Sequence, residues 1–170
     1  MYGPAGLLTI LWFMKTLNLK QFLINFCRCG IAGWCLEVMF TSVDSIMAGD
    51  WRLMGRTSLI MFPIYGMGAL LGPISGMMDS WLSDLPGFEE ASRERISPLA
   101  LAIRHGLLFM VMIFIAEYVT GIWLTGAGIC PWDYSRWPDN VDGVIRLNFA
   151  PLWFFTGLLF ERITKSKSRS

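Results

Sequence analysis

Glu37 and Glu117 each lie near the middle of a long apolar stretch, and this restricts the possible fold more than any other feature of the chain. An ionisable side chain inside a membrane segment is costly, so it normally faces the protein interior and marks a functional site unless it is merely paired. The residues after each glutamate also run in parallel. The matching positions, each 88 residues apart, are Gly55 and Gly143, Leu59 and Leu147, Pro63 and Pro151, Ile64 and Leu152, and Tyr65 and Trp153. This pattern predicts one two-helix unit used twice.

The composition indicates a membrane protein. Of the 170 residues, 54% are hydrophobic and only 16% are charged, which a soluble domain could not keep in solution. The net charge of +1 disfavours nucleic acid and acidic polymers as partners. Membrane lipid is therefore the first expected partner.

Four stretches are long and apolar enough to cross a bilayer, which takes about 20 residues. We predict crossings at 22–46, 57–78, 101–124 and 147–163. The apolar segment 3–14 is short for a span, so it is expected to re-enter the membrane or lie on it. It lacks the charge pattern and cleavage site of a signal peptide. The predicted fold is an all-α membrane protein with four transmembrane helices in two tandem two-helix repeats, plus this short N-terminal segment.

The whole chain, 1–170, is predicted to be one integral membrane domain. Repeat 1 covers about 22–78, repeat 2 about 101–163, and a charged linker at 79–98 joins them, with a basic tail at 164–170. The distribution of lysine and arginine predicts that both termini are cytoplasmic. That face would carry Lys15, Lys20, Arg93, Arg95, Arg162, Lys165, Lys167 and Arg169, and the opposite face Arg52, Arg56, Arg136 and Arg146.

Because each unit crosses twice, the two repeats should be parallel, related by an axis along the membrane normal. Glu37 and Glu117 then lie at similar depth in their helices, and Tyr65 and Trp153 reach the same level on the returning helices. These four side chains form a predicted layer slightly outside the midplane of the bilayer. Such a junction between repeats commonly holds a binding site.

Small residues and prolines shape the predicted helices. Gly33 and Gly121 share a helix face with the glutamates, and Gly68, Gly72 and Gly76 form a row that would let helices approach closely. Pro63 and Pro73 should kink the second helix and free backbone carbonyls that could line a cavity. Tight packing alone would also explain the glycine row.

Two interpretations of the glutamates remain open. In low dielectric at least one of two neighbouring carboxyls could be protonated near neutral pH, which suits proton coupling or a cationic head group. Alternatively, each glutamate is a structural group that meets a backbone group or a basic side chain, for which the candidates are Arg28, Arg104 and Arg146. We include Arg146 among the candidate binding residues.

The segment Trp132-Asp133-Tyr134-Ser135 is a second candidate site. Asp133 and Tyr134 could present polar groups to a solute above the membrane. Alternatively, Asp133 caps a turn while Trp132 anchors the loop at the interface.

Catalytic and metal chemistry find little support in the sequence. His105 is the single histidine, predicted at the cytoplasmic end, far from Asp133 and Ser135, so a catalytic triad is not expected. Cys27, Cys29 and Cys35 have no metal-binding spacing and are predicted to be core residues. We expect no catalytic residue, no metal site and no cofactor, and no phosphate-binding loop motif occurs in the chain.

Four segments of the chain together form a recognisable set of motifs: Gly33-Trp34-Cys35-Leu36-Glu37-Val38-Met39-Phe40-Thr41, Pro63-Ile64-Tyr65-Gly66, Glu117-Tyr118-Val119-Thr120-Gly121 and Cys130-Pro131-Trp132-Asp133-Tyr134-Ser135. In these segments the chain resembles the transmembrane protein 229 family and the bacterial CmpB-like membrane proteins described as ABC-transporter type IV. The resemblance covers about 25–161. It implies a small polytopic membrane protein and, by the bacterial description, a transporter component.

We therefore expect a transporter-like component that binds a small solute, an ion or a lipid at a polar site between two repeats. One alternative is a non-catalytic subunit packed in a larger membrane complex. A membrane-embedded enzyme acting on lipid is less favoured, since no nucleophile or metal cluster is evident. Four crossings hardly enclose a complete solute path, so a homo-oligomer or a complex with other chains is expected.

Overall fold

A computed structural model describes residues 18–83 and 97–165, and these are mostly helical. The described α-helices are α1 (Leu19–Met47), α2 (Met61–Gly66), α3 (Leu71–Ser83), α4 (Pro98–Gly126) and α5 (Ala150–Lys165). A 3₁₀ turn, Met67–Leu70, joins α2 to α3, and another, Leu147–Phe149, leads into α5. Two short antiparallel strands, β1 (Asn140–Val141) and β2 (Ile145–Arg146), precede that second turn.

Three helical stretches are long and apolar enough to cross a membrane: Leu19–Met47, Met61–Leu82 and Pro98–Gly126. They coincide, within a few residues at each end, with the predicted crossings at 22–46, 57–78 and 101–124. A helix also forms at the fourth predicted crossing, but α5 has only 16 residues. At 1.5 Å per residue it is about 24 Å long, short of the roughly 30 Å hydrocarbon core. The fourth crossing therefore stays a prediction.

The outward surface of these helices suits lipid. Of the most apolar window of Pro98–Gly126, only 17% is buried within the protein. Large apolar side chains such as Ile115, Val119 and Trp123 point outward from α4, and Ile31 and Met39 do so from α1. In water this exposure would be unfavourable, whereas in a bilayer it faces a matching solvent. The protein is therefore a membrane protein.

The second helical stretch is interrupted where its prolines predict a disturbance. Pro73 has no N–H to donate to the carbonyl of Ala69 one turn earlier, and the chain tightens into the 3₁₀ turn Met67–Leu70 at that point. Pro63 lies near the start of α2, where a missing N–H costs little. The single helix predicted at 57–78 is therefore two helices joined by a tight turn.

The hydrophobic core contains one buried residue from each of four helices. Cys29 of α1, Leu71 of α3, Phe109 of α4 and Phe160 of α5 form one buried cluster. The prediction that all three cysteines of α1 are core residues is wrong, because Cys27 and Cys35 are exposed. They lie on the helix face that turns away from the other helices.

The loop between α4 and α5 contains a small β-hairpin that the all-α prediction did not include. Asp142 and Gly143 both have positive φ at its turn, where Gly and Asp are tolerated best. Trp132 donates its indole N–H to the carbonyl of Val144 at 3.0 Å, and the amide of Tyr134 donates to the carbonyl of Gly143 at 2.7 Å. These bonds fix the segment that carries Asp133 and Tyr134 against the hairpin.

The start of the predicted linker is corrected by the structure. Asp79, assigned to the solvated linker 79–98, lies in α3, which continues to Ser83. The N-terminal segment 3–14, residues 84–96 and the end of the basic tail, 166–170, lie outside the described residues. Of the predicted tail, Thr164 and Lys165 are the last residues of α5.

Candidate functional site

Glu117 lies on α4, and only 9% of its surface is exposed. Its Oε2 accepts a hydrogen bond from the indole Nε1 of Trp153 at 3.1 Å. The hydroxyl of Tyr134 donates a second hydrogen bond to the same carboxyl group. Burying a carboxyl without such donors would cost several kcal/mol, so two donors from separate segments are needed to hold it there.

Glu37 lies on α1 and is half-buried. Its Oε2 accepts a hydrogen bond from the hydroxyl of Thr57 at 2.7 Å, from the segment that leads into α2. Thr41, one turn further along α1, contacts the same segment by accepting from the amide of Arg56 at 2.8 Å. These contacts hold the end of α1 against the chain that precedes α2.

Tyr65 lies within electrostatic range of both glutamates. Its hydroxyl interacts electrostatically with both Glu37 and Glu117, and Tyr134 interacts with the same two carboxyls. Gly33 makes this possible, because a Cβ at Gly33 would overlap the ring of Tyr65. We call the five residues Glu37, Tyr65, Glu117, Tyr134 and Trp153 the carboxyl site.

An aromatic wall lies beside the carboxyl site. The ring of Phe149 stands edge-on to Phe40, Tyr134 and Trp153, with centroid distances of 5.0, 5.4 and 6.3 Å. Such edge-to-face contacts hold ring orientations at little entropic cost. The wall therefore fixes the directions in which Tyr134 and Trp153 present their donors to Glu117.

A cavity of about 490 Å³ opens beside Glu37. Its lining includes Thr41, Asp50, Arg56 and Thr57, together with Pro131 from the loop after α4. The volume is in the range of small-molecule sites. Glu37 thus differs from Glu117: it borders a space that a ligand can enter, whereas Glu117 is enclosed.

Two of the three basic residues proposed as structural partners of the glutamates, Arg104 and Arg146, pair with other carboxylates. Arg104 pairs with Asp79, and Arg146 lies 3.4 Å from Asp139. Within residues 18–83 and 97–165, neither glutamate of the carboxyl site forms an ion pair. Pairing with Arg28, Arg104 or Arg146 is therefore not the arrangement found.

Two of the predicted binding residues lie away from the carboxyl site. The guanidinium of Arg146 stacks on Trp137 at 3.8 Å and lies 5.0 Å from the centroid of Phe149. Asp133 is exposed, and its Oδ1 accepts from the amide and hydroxyl of Ser135 at 2.9 and 2.6 Å. These two hydrogen bonds hold the pKa of Asp133 below its usual value. Asp133 thus caps a turn in the loop, and Tyr134 is the member of that segment that reaches a glutamate.

Sequence reasoning missed a second polar cluster, at the opposite end of the helices. His105 of α4 is almost fully buried between Asp79 of α3 and Glu161 of α5. Arg104 pairs with Asp79, while Ser75 and Lys165 both donate to Glu161 Oε1, at 2.9 and 2.6 Å. We call these six residues the histidine cluster. One signal was present: Glu161 is one of four carboxyls inside the predicted crossings, with Glu37, Asp44 and Glu117, and it has Lys165 four residues later.

No group of three or more His, Cys, Asp or Glu side chains within the described ranges could hold a metal ion. The groups that the carboxyl site offers are carboxyls, phenols and an indole N–H. Such groups bind protons, cations and polar solutes.

A known protein family matches nearly the whole chain. The model of one protein family, described as Putative ABC-transporter type IV, matches residues 24–168. No solved structure matches the chain. The match begins just before Asn25 and includes nearly all of both repeats predicted from the sequence, with all five residues of the carboxyl site. It confirms the resemblance to the CmpB-like proteins, and the chain belongs to the family described as Putative ABC-transporter type IV.

Proposed function

We propose that this protein is a transporter-like membrane component that binds a small cationic or polar solute, or a lipid head group, at the carboxyl site. The family description and the apolar helices support a transport-related role in the membrane. The chemistry of the site supports the ligand class, because carboxyl groups favour a positive charge and hydroxyl and indole groups can hydrogen-bond a polar solute.

One observation carries this proposal. Glu37 and Glu117 accept hydrogen bonds from the neutral donors Thr57, Tyr134 and Trp153, and no basic side chain of the described residues pairs with them. A buried carboxylate without a cation is poorly solvated in a membrane. A proton or a positively charged ligand would relieve this cost, so the site is suited to bind one.

The cavity beside Glu37 supplies a route of entry. Its volume of about 490 Å³ accommodates a small organic cation or a lipid head group. Thr41 and Thr57 on its wall can hydrogen-bond a polar solute, and Asp50 and Glu37 favour positive charge. Arg56 on the same wall would repel a simple cation and attract a phosphate, so a zwitterionic head group is a suitable occupant as well.

Native mass spectrometry in gentle detergent tests the binding. We expect wild-type protein to retain a bound small molecule, lipid or ion that is lost in both Glu37→Gln and Glu117→Gln, since each removes one carboxyl of the same site. Asp142→Asn is the matched control, because Asp142 accepts from Tyr118 outside the site. If wild type binds nothing, or both variants bind as wild type does, the proposal is wrong and an assembly-subunit role should be preferred.

We also propose the arrangement in the membrane: four crossings in two parallel repeats, with both termini in the cytoplasm. α1 packs mainly on α2 and α4 mainly on α5, as two hairpins would. The bias of lysine and arginine supports the orientation. The short α5 would then reach across by means of the 3₁₀ turn Leu147–Phe149 and local thinning of the bilayer.

Site-directed labelling tests this topology. In a background lacking the other cysteines, Cys130 should react with an impermeant maleimide from outside, whereas Ser97→Cys and Lys165→Cys should react only from the cytoplasmic side. If Lys165→Cys and Cys130 react from the same side, α5 does not cross the membrane and the four-crossing arrangement is wrong.

Assembly with other chains is the remaining part of the proposal. Four short helices enclose little volume, so a homo-oligomer or a complex with partner subunits would be needed for a full solute path. The masses recorded in the same native spectra test this directly: a species of one chain only, at every protein concentration, would contradict self-association.

A further inference from the structure

The two ring nitrogens of His105 face different carboxylates. Nε2 lies 3.0 Å from both oxygens of Asp79, and Nδ1 lies 2.8 Å from Glu161 Oε1. Both distances are those of good hydrogen bonds. The imidazole is therefore a bridge between α3 and α5, carried on α4.

Such a bridge requires two ring protons. A neutral imidazole has one N–H and one bare nitrogen, and only the N–H can donate to a carboxylate. The bare nitrogen would set its lone pair against the second carboxylate oxygen at about 3 Å, a repulsive contact. Protonating a carboxylate instead is disfavoured for Glu161, because its Oε1 already accepts from Ser75 and Lys165.

The net charge of the histidine cluster depends on whether the second ring proton of His105 is present. The charged groups that face His105 are Asp79 from α3, Glu161 and Lys165 from α5, and Arg104 from its own helix. Two carboxylates and two basic side chains sum to zero. Adding or removing the second ring proton therefore changes the cluster between a net charge of +1 and 0.

We propose that the histidine cluster is a proton-binding site, and that the structure described here is its occupied state. The ligand is a single proton, taken from water and held between Asp79 and Glu161 on the second ring nitrogen of His105. When this proton leaves, one of the two hydrogen bonds is lost: either the bond to Glu161, which joins α5 to α4, or the bond to Asp79, after which Arg104 alone joins α4 to α3. This inference does not depend on the proposed solute site.

The histidine cluster and Glu117 both involve the same pair of helices, α4 and α5. α4 carries His105 near one end and Glu117 twelve residues later, about 18 Å along the helix axis. α5 carries Glu161 and Trp153, which donates to Glu117. The two helices joined by the histidine cluster are therefore the two that enclose Glu117.

The chain contains a single histidine, which makes the test unusually direct. Protein labelled with ¹⁵N-histidine, purified by a tag without histidine and reconstituted in lipid, gives ring-nitrogen signals from His105 alone. Protonated and bare ring nitrogens resonate in well-separated regions. At pH 7 we expect both nitrogens of wild type to be protonated, and raising the pH should reversibly remove one proton.

Variants identify what holds the proton. Asp79→Asn and Glu161→Gln should each leave one ring nitrogen bare at pH 7, since each replaces a carboxylate partner with a neutral group. Asp142→Asn is the matched control, because Asp142 accepts from Tyr118 in the loop region, away from the histidine cluster, and it should give the wild-type spectrum. The wild-type spectrum decides the question even if a variant fails to fold.

Three results would overturn the proposal. A bare ring nitrogen in wild type at pH 7 would mean that the second proton is absent. Two protonated nitrogens at every pH would make His105 a permanent cation that exchanges nothing. Unchanged spectra in both variants would show that the two carboxylates do not hold the proton.

Discussion

The indole nitrogen of Trp153 lies 3.1 Å from Oε2 of Glu117 and joins the first turn of α5 to the interior of α4. The two residues are 36 positions apart, with the whole hairpin loop between them. Trp153 is one of the residues that the repeat pairs with the first half, where Tyr65 holds the matching position. Its contact with Glu117 makes the buried carboxyl dependent on the packing of α5.

Replacing Trp153 with phenylalanine should therefore destabilise the protein. The ring would remain, but a buried carboxyl would lose one of its two donors, which costs about 1–3 kcal/mol. Equilibrium unfolding in mixed micelles measures the free energy of unfolding. Trp123→Phe is the control, because Trp123 is 71% exposed on the lipid-facing side and should change little. Equal losses in the two variants would contradict a special role for the indole N–H.

Gly33→Ala should disturb the packing of α1 on α2. A Cβ at Gly33 would overlap the ring of Tyr65, so the ring must move away from the carboxyl site, at a cost of about 1–3 kcal/mol. Gly76→Ala is the matched change on α3, where a Cβ meets nothing within 4 Å. Because alanine favours helix, Gly76→Ala should be neutral or stabilise by up to about 1 kcal/mol. The same unfolding assay separates the two; a Gly33→Ala variant as stable as wild type would show that Tyr65 does not pack as described.

Ser75→Ala removes a fully buried hydroxyl that donates to Glu161 at 2.9 Å. Glu161 would keep His105 and Lys165 as donors, so we expect a loss of about 1–2 kcal/mol in the free energy of unfolding. Ser42→Ala serves as the comparison, because the hydroxyl of Ser42 only returns to the carbonyl of Met39 in its own helix. A larger loss in Ser42→Ala than in Ser75→Ala would argue against the buried bond.

The loop turn at Asp133 should be sensitive to acid. The hydroxyl and amide of Ser135 hold the pKa of Asp133 below its usual value of 3.8. A carboxyl with a lowered pKa in the folded state contributes stability above the unfolded value, and that contribution is lost as the pH falls through the folded pKa. The amide signal of Ser135 in NMR spectra should thus follow a titration whose midpoint lies below pH 3.8. Asp133→Asn should remove that titration, and a midpoint above pH 3.8 would contradict the prediction.

Long apolar helices were the most predictable part of the fold. Lipid requires about 20 apolar residues per crossing, and this signal is local, so α1, the second helical stretch and α4 were located within a few residues. The conformation of the interruption at Met67–Leu70 was harder to predict than its presence. Pro73 indicated a disturbance, but whether it produces a bend or a 3₁₀ turn depends on the packing of its neighbours.

The candidate site was predictable in part. The repeat indicated that Glu37, Tyr65, Glu117 and Trp153 belong at one level, and the structure places Trp153 on Glu117 and Tyr65 within electrostatic reach of both glutamates. The small hairpin that carries Tyr134 to Glu117 gave no comparable signal. Two-residue strands have too few residues for an alternating pattern, so their pairing is fixed by the turn and by Trp132.

The membrane location, the positions of the long helices and the family of the chain follow from the sequence alone, because hydrophobic length and local motifs need no knowledge of distant contacts. The pairing of the charged residues, in contrast, became known from the packed helices. Arg104 pairs with Asp79, Arg146 pairs with Asp139, and His105 lies between two carboxylates. The glutamates of the carboxyl site have hydrogen-bond donors but no cation among the described residues. Such pairing depends on which helix faces meet, and residues as distant as Ser75 and Glu161 become neighbours only when α3 and α5 pack together.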